Sequence, residues 1–268
     1  MKDIHILITN DDGIHAEGLQ YLSSYLHESS SGLKLSIVAP DRERSAVGHA
    51  ITMHKPLRVE NINFLHNPAL SGYSVNGTPS DCVKLAVEAI LENKPDLVIS
   101  GINRGSNLGT DVLYSGTVSA AVEGLIMGIP SIAVSLTKKG EEGDYRYAAR
   151  FISKLIPAII NSDLKPTTLL NVNVPADTGS IKGVRATSLG SRRYSNTFEK
   201  RTDPRGMFYY WMAGEVVEDE SEGADSDTKA VREKYISVTP IHFQLTDKAA
   251  LSTLTQIVES IKFKGSLK

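Results

Sequence analysis

Short β-branched runs alternate with amphipathic segments through the first two thirds of the chain, the pattern of βαβ units around a mostly parallel sheet. Period and composition predict strands over 4–9, 35–39, 73–75, 97–100, 131–135 and 168–174. Between them Leu19, Leu22 and Leu26 recur at helical spacing, as do Val83, Ala86 and Ile90. Thr78-Pro79-Ser80-Asp81 is a helix start: Thr78 can cap, Pro79 suits the first turn and Asp81 complements the helix dipole. A further helix is predicted over 117–127, closed by Gly128. Pro157 falls inside the apolar pattern 147–160, where a kink or break is expected.

After Pro175 the pattern changes. Two polar and aromatic runs, 193–200 and 207–212, flank the turn Asp203-Pro204-Arg205-Gly206 and predict a β-ribbon. An acidic stretch over 215–227 follows, then a strand over 235–240. A closing helix aligns Leu251, Leu254, Ile257, Val258 and Ile261 on one face. A two-stranded ribbon is marginal alone, so Phe208, Tyr209, Tyr210 and Trp211 should lean on another subunit or on the edge of the main domain. The expected architecture is α/β: a mostly parallel sheet with helices on both faces in a main domain over 1–178, followed over 179–268 by a hairpin and tail helix expected to serve assembly.

Composition narrows the class. Lys and Arg number 29 against 31 Asp and Glu, a formal charge of −2, which argues against stable nucleic-acid binding. Arg192, Arg193, Lys200 and Arg201 share the ribbon with Tyr194 and Phe198, but acidic residues lie nearby and a solvated ribbon is the better reading. The 41% hydrophobic fraction is that of a globular chain with a real core. No secretory signal or membrane-length apolar run is present, and Cys82 is the only cysteine, so a cytoplasmic protein without disulfides is expected. Cys82 lies among apolar residues and reads as core.

The polar clusters fall where a parallel sheet would gather them. The first strand ends in Asn10-Asp11-Asp12-Gly13, and later strands run into Pro40-Asp41-Arg42-Glu43-Arg44-Ser45, Asn76-Gly77-Thr78 and Gly101-Ile102-Asn103-Arg104-Gly105-Ser106-Asn107. Ligands of open α/β sheets bind beyond the carboxyl ends of strands. Asp11, Asp12, Ser45 and Asn103 would there form an all-oxygen set, suited to Mg²⁺, Mn²⁺ or Ca²⁺, with waters filling the remaining positions and supplying a nucleophile. Ser115, Gly116 and Thr117 open a helix, either as a phosphate seat or simply as caps. His15 and His49 lie near these loops, as surface residues or facing substrate.

These segments resemble the stationary-phase survival protein (SurE) family of metal-dependent nucleotidases. The likeness is carried by residues 6–13, 39–45, 76–83, 100–109, 114–121 and 171–175, with a late match over 230–240. It implies a Rossmann-like core and one divalent metal per subunit, Mg²⁺ or Mn²⁺, with Ca²⁺ an alternative in crystals. The metal ligands are Asp11, Asp12, Ser45 and Asn103. It further implies hydrolysis of nucleoside 5′- and often 3′-monophosphates, exopolyphosphatase activity in some members, and homodimers or homotetramers built by C-terminal exchange and hairpins. Asp11 and Asp12 are then the catalytic carboxylates, and Asn10, Gly101, Asn107, Ser115, Gly116 and Thr117 the phosphate and substrate contacts. The sequence departs from the commoner pattern at Ala46-Val47-Gly48-His49 and at Lys234. The rival readings are an aspartyl-phosphate phosphatase, whose two acids are spaced by one residue, and a nucleotide-binding regulator without turnover.

Overall fold

The computed structural model describes residues 4–29, 32–64, 67–138, 142–164, 168–195, 197–217 and 223–261. The chain opens with β1 (Ile4–Thr9), α1 (Glu17–Ser29) and β2 (Leu33–Pro40), then an edge hairpin of β3 (Val59–Asn63) and β4 (Ser71–Val75). It continues through α2 (Pro79–Leu85), β5 (Leu97–Arg104), α3 (Gly116–Ile126), β6 (Ser131–Leu136), α4 (Glu142–Ile160) and β7 (Leu169–Val174). The remainder comprises β8 (Gly183–Ala186), β9 (Arg193–Ser195), β10 (Phe198–Thr202), β11 (Phe208–Met212), β12 (Glu215–Val217), α5 (Asp227–Arg232), β13 (Tyr235–Ile241) and α6 (Leu251–Ser260).

One sheet has the order β3-β4-β2-β1-β5-β6-β7-β13-β8. The strands from β4 to β7 pair in parallel. The chain runs outward from β1 to β2, then returns across β1 to build β5, β6 and β7. The order reverses between β1 and β5, which puts the ligand-binding crevice at their carboxyl ends. The predicted central strands form as read because they are apolar on both faces: Ile6, Leu7, Ile8, Val98 and Ile99 are fully buried. Ile6, Ile8, Leu19, Leu22 and Leu26 share one core with Ile152 and Ile156 of α4, while Leu7, Val83 and Ala120 pack on the other face with Cys82.

Three local expectations meet a definite outcome. Thr78 and Asp81 form a full capping box on α2, with Asp81 N donating to Thr78 Oγ1 at 3.1 Å and Thr78 N to Asp81 Oδ2 at 2.8 Å. Gly128 adopts φ 71° after α3, the left-handed stop expected there. The break at Pro157 does not occur: α4 continues through it to Ile160. Pro157 is exposed one turn before the helix end, so the carbonyl it leaves unpaired can be hydrated.

After 179 the chain returns to the sheet, since β13 pairs antiparallel with β7 and parallel with β8. Between those strands β9 pairs with β12 and β10 with β11, the predicted ribbon. Phe198, Phe208, Tyr210 and Trp211 are each about 60% exposed, and Lys200 Nζ lies 3.6 Å from the Phe208 ring centroid. The apolar face of α6 is exposed too. Residues 218–222 of the acidic stretch lie outside the described residues. Among the described residues no helix is long and apolar enough to cross a membrane.

Candidate metal centre

The loop after β1 is shaped by Asn10 and Gly13. Asn10 Nδ2 donates to Gly13 O at 2.9 Å, and Gly13 N donates back to Asn10 Oδ1 at 3.2 Å. Gly13 has φ 102° and packs so closely that an added Cβ would lie 3.0 Å from the Arg42 backbone. This turn lets adjacent aspartates leave the strand together. Asn10, expected at the substrate, forms the turn through both ends of its amide.

Asp11 points at the start of α3. Its Oδ1 accepts from Thr117 Oγ1 at 2.5 Å, and its main-chain carbonyl accepts from Arg44 N at 2.7 Å. Burial raises the Asp11 carboxyl to about 6 despite the opposing Thr117 hydrogen bond; the Asp12 charge raises it further. Asp12 is also raised, by burial first, while the Arg104 amide donates to Oδ2 at 3.0 Å and opposes the rise. Gly116 is where Asp11 needs room: a Cβ there would lie 2.8 Å from Asp11 Cβ. The helix start that reads as a phosphate seat therefore faces a carboxylate of the protein itself, and Ser115 caps it by accepting from Val118 N at 3.0 Å.

The loop 41–45 and the end of β5 complete the edge. Ser45 is exposed and donates to Glu43 Oε1 at 2.7 Å. Asn103 donates from Nδ2 to Gly105 O at 2.8 Å, which leaves Oδ1, the atom able to ligate a cation, without a partner. Gly101 and Asn107 serve the architecture. Gly101 has φ 138° against Val134. Asn107 is buried, donating from Nδ2 to Ser135 Oγ at 2.8 Å and from N to Asn173 Oδ1 at 2.9 Å. Asn171 and Asn173 both donate to its carbonyl, at 2.8 and 2.9 Å, which explains the polar pair inside β7.

The donor chemistry fits a hard divalent cation. A buried carboxyl, Asp11, and a half-buried one, Asp12, stand side by side, and among the described residues neither ion-pairs with a Lys or Arg side chain. A hydroxyl and an unengaged amide oxygen lie on the neighbouring loops. No group of three or more His, Cys, Asp and Glu occurs among the described residues, so a cation here depends on the serine and asparagine oxygens.

Sequence reading missed how the Ser45 loop is fixed. His49 Nε2 lies 2.7 Å from Glu123 Oε2 on α3, and Lys84 of α2 sits 3.6 Å from the other Glu123 oxygen. Gly48 N donates to Tyr114 O at 3.0 Å, Thr78 Oγ1 to Ala50 O at 2.7 Å, and Thr52 donates through both N and Oγ1 to Asp81. The His49 hydrogen bond, with the His49 and Lys84 charges, holds the Glu123 carboxyl below its ordinary value against the effect of burial. Only the chain spacing of 74 residues hid this pair. Glu123→Gln should raise the metal concentration for half-maximal activity several-fold while leaving kcat at saturating metal nearly unchanged. An unaltered metal titration would free the loop from this role. The lowered carboxyl stabilises the fold above its unfolded value of 4.5, and that contribution disappears as pH falls through the folded value. Melts of both chains from neutral pH to below 4.5 should therefore converge.

At the ribbon base Arg192 Nη1 donates to Asp111 Oδ2 at 2.9 Å and to Ser106 Oγ at 3.0 Å, while Tyr194 OH donates to Asp111 Oδ2 at 2.6 Å. Arg192 is thereby committed to the loop after β5. Asp227 accepts from Gly109 N at 2.9 Å and Gly190 N at 2.8 Å, joining α5 to that loop.

Comparison with known proteins places the chain in a family. The family model described as "Survival protein SurE" matches residues 6–196. This chain belongs to the SurE family. It is 52% identical over 259 residues to the 5′-nucleotidase SurE of Pelotomaculum thermopropionicum, covering 97% of each chain. It is 54% identical over 253 residues to the 5′-nucleotidase SurE of Heliobacterium modesticaldum, covering 94% of this chain and 91% of that one. The crystal structure of the SurE protein from Aquifex aeolicus superposes with a TM-score of 0.79 at 37% identity, covering 95% of this chain and 99% of that one. As a SurE chain it carries the α/β sheet expected from its sequence, with the hairpin strands added after the core.

Proposed function

We propose that this SurE chain is a divalent-metal-dependent phosphomonoesterase that hydrolyses nucleoside 5′-monophosphates to nucleoside and phosphate. The 3′-monophosphates and short polyphosphates are further substrates in this reading. The full-length likeness to relatives named 5′-nucleotidase SurE supports the enzyme class. The observation that carries the metal is the adjacent carboxyls of buried Asp11 and half-buried Asp12, raised by burial and not ion-paired by a side chain among the described residues, with the Asn103 oxygen on the neighbouring loop.

Asp11, Asp12, Ser45 and Asn103 would hold the cation. When bound, it supplies Lewis-acid polarisation of a phosphoryl oxygen and a water acidic enough to attack at neutral pH. Thr117 fixes the Asp11 rotamer through the 2.5 Å hydrogen bond, so this carboxylate can orient the attacking water and hold its proton. The Gly116 amide, at the start of α3, is available to charge on the transferring phosphoryl group. Ser115 caps that helix start and Thr117 anchors Asp11, Asn10 shapes the Asp11 turn, and Gly101 and Asn107 tie the end of β5 and its loop to β6 and β7.

The exposed ribbon and α6 are the surfaces through which copies of the chain would join as a dimer or tetramer, tested by a solution mass. The activity is tested by phosphate release from AMP with Mg²⁺ or Mn²⁺. Chelation should abolish release and added metal restore it. Chelator-resistant turnover would remove the metal, trapped aspartyl-phosphate would favour covalent chemistry, and nucleotide binding without release would make the chain a regulator.

A further inference from the structure

A concavity opens beside the Ser45 loop. It holds about 370 Å³ and is lined by Asp41, Arg42, Arg44, Thr52, Lys55, Pro56, Asn76, Gly77 and Thr78. Its charge is unbalanced. Arg44 Nη2 is 3.1 Å from Asp41 Oδ1 and 2.9 Å from Asn76 O, so those two charges cancel. Arg42 and Lys55 have no hydrogen-bond or ion-pair partner among the described residues.

The neutral polar groups of the lining are already engaged. Thr52 donates to Asp81, Thr78 to Ala50 O, and Asn76 Oδ1 accepts from Arg58 N. The cationic N–H left to a ligand is that of Arg42 and Lys55, two positive charges beside the mutually paired Arg44 and Asp41. No aromatic side chain lines the recess, and Pro56 is its one apolar side chain, so it offers a nucleobase nothing to stack on. Such a surface selects an anion with several oxygens, because charge-assisted hydrogen bonds from guanidinium and ammonium are the strong ones.

The recess also shares a wall with the metal centre. Arg44 N donates to Asp11 O at 2.7 Å while the Arg44 side chain lines the recess. Arg42 backbone packs on Gly13, and Arg44 O would lie 3.2 Å from a Cβ on Gly116. The backbone of 42–44 thus packs on the main chain of the Asp11–Gly13 turn, while Arg42 and Arg44 line the cationic recess. We infer that the recess is a second anion subsite, which holds the non-scissile phosphate of a substrate bearing two phosphates while the scissile one lies at the Asp11 edge. The assignment of the scissile end rests on the proposed nucleotidase reading; the anion subsite does not.

Two measurements separate those claims. Calorimetric binding of inorganic pyrophosphate, without turnover, compares the unaltered chain with Arg42→Gln/Lys55→Gln. The variant should bind about tenfold more weakly or worse, and the salt dependence of binding should flatten. Equal affinity in the two chains, with melting temperatures matched, overturns the subsite. In the second measurement, phosphate release from AMP and from adenosine 3′,5′-bisphosphate is followed for both chains. The double substitution should lower kcat/KM for the bisphosphate about tenfold and leave that for AMP within about twofold. An equal loss on both substrates, or on neither, overturns the two-phosphate role. Absence of release from AMP by the unaltered chain would defeat the nucleotidase reading alone, because pyrophosphate binding still decides the recess.

Discussion

Asp11→Asn lowers kcat for AMP by at least about two orders of magnitude while the melting temperature of the metal-free chain holds or rises. The two outcomes have one cause. Burial raises the Asp11 carboxyl to about 6, so at neutral pH the fold keeps an ionised group in a place that disfavours charge. An asparagine oxygen can still accept from Thr117 Oγ1, now at 2.5 Å from the carboxylate, and the desolvation cost of the charge is gone. The lost charge is what a cation and an attacking water require. Phosphate release at saturating metal, beside a thermal melt, checks both parts. Near-normal turnover would take Asp11 out of the chemistry, and a collapsed melt would show that it is structural.

Gly101→Ala is the larger blow to the fold. A Cβ at this position would lie 2.3 Å from Val134 O and 2.7 Å from Val134 Cγ1, and φ is 138°, where a side chain is strained in any case. The obstruction is backbone of β6 in the middle of the sheet, so it cannot rotate away. A loss of about 3 kcal/mol or more is expected, seen as a lower denaturant midpoint with unchanged slope. Activity at low temperature should fall too, since Asn103 follows two residues later on the same strand. A midpoint equal to that of the unaltered chain would mean that β5 can shift to accommodate the methyl group.

The contrast between these two sites shows how far the chain could be read in advance. The central strands were legible because a buried parallel sheet writes continuous apolar runs, as in Ile6-Leu7-Ile8 and Leu97-Val98-Ile99. Once those strands are parallel, Asp11, Asp12, Ser45 and Asn103 must fall at one edge, so the candidate donors followed from topology alone. Side-chain direction did not follow. Asn10, Gly101 and Asn107 stand in the same loops as the donors, and nothing in their residue type tells which groups their side chains or backbone meet in the fold. Asn107 is decided by Ser135, Asn171 and Asn173, which lie on two other strands. The pairing of β13 between β7 and β8 is equally non-local: its short run looks the same whether it joins the main sheet or the ribbon. Pro157 misled for a different reason, because the local rule ignores whether the freed carbonyl faces water.

The link between the Asp11 turn and the cationic recess is main chain. Peptide groups are the one part of a protein that substitution leaves in place, so residues 42 and 44 can change on the recess side while the bond from Arg44 N to Asp11 O persists. With the recess as the proposed anion subsite, substitution there changes what is bound without disturbing the Asp11 turn, and a random library confined to 42, 55 and 56 should yield altered preferences far more often than dead protein.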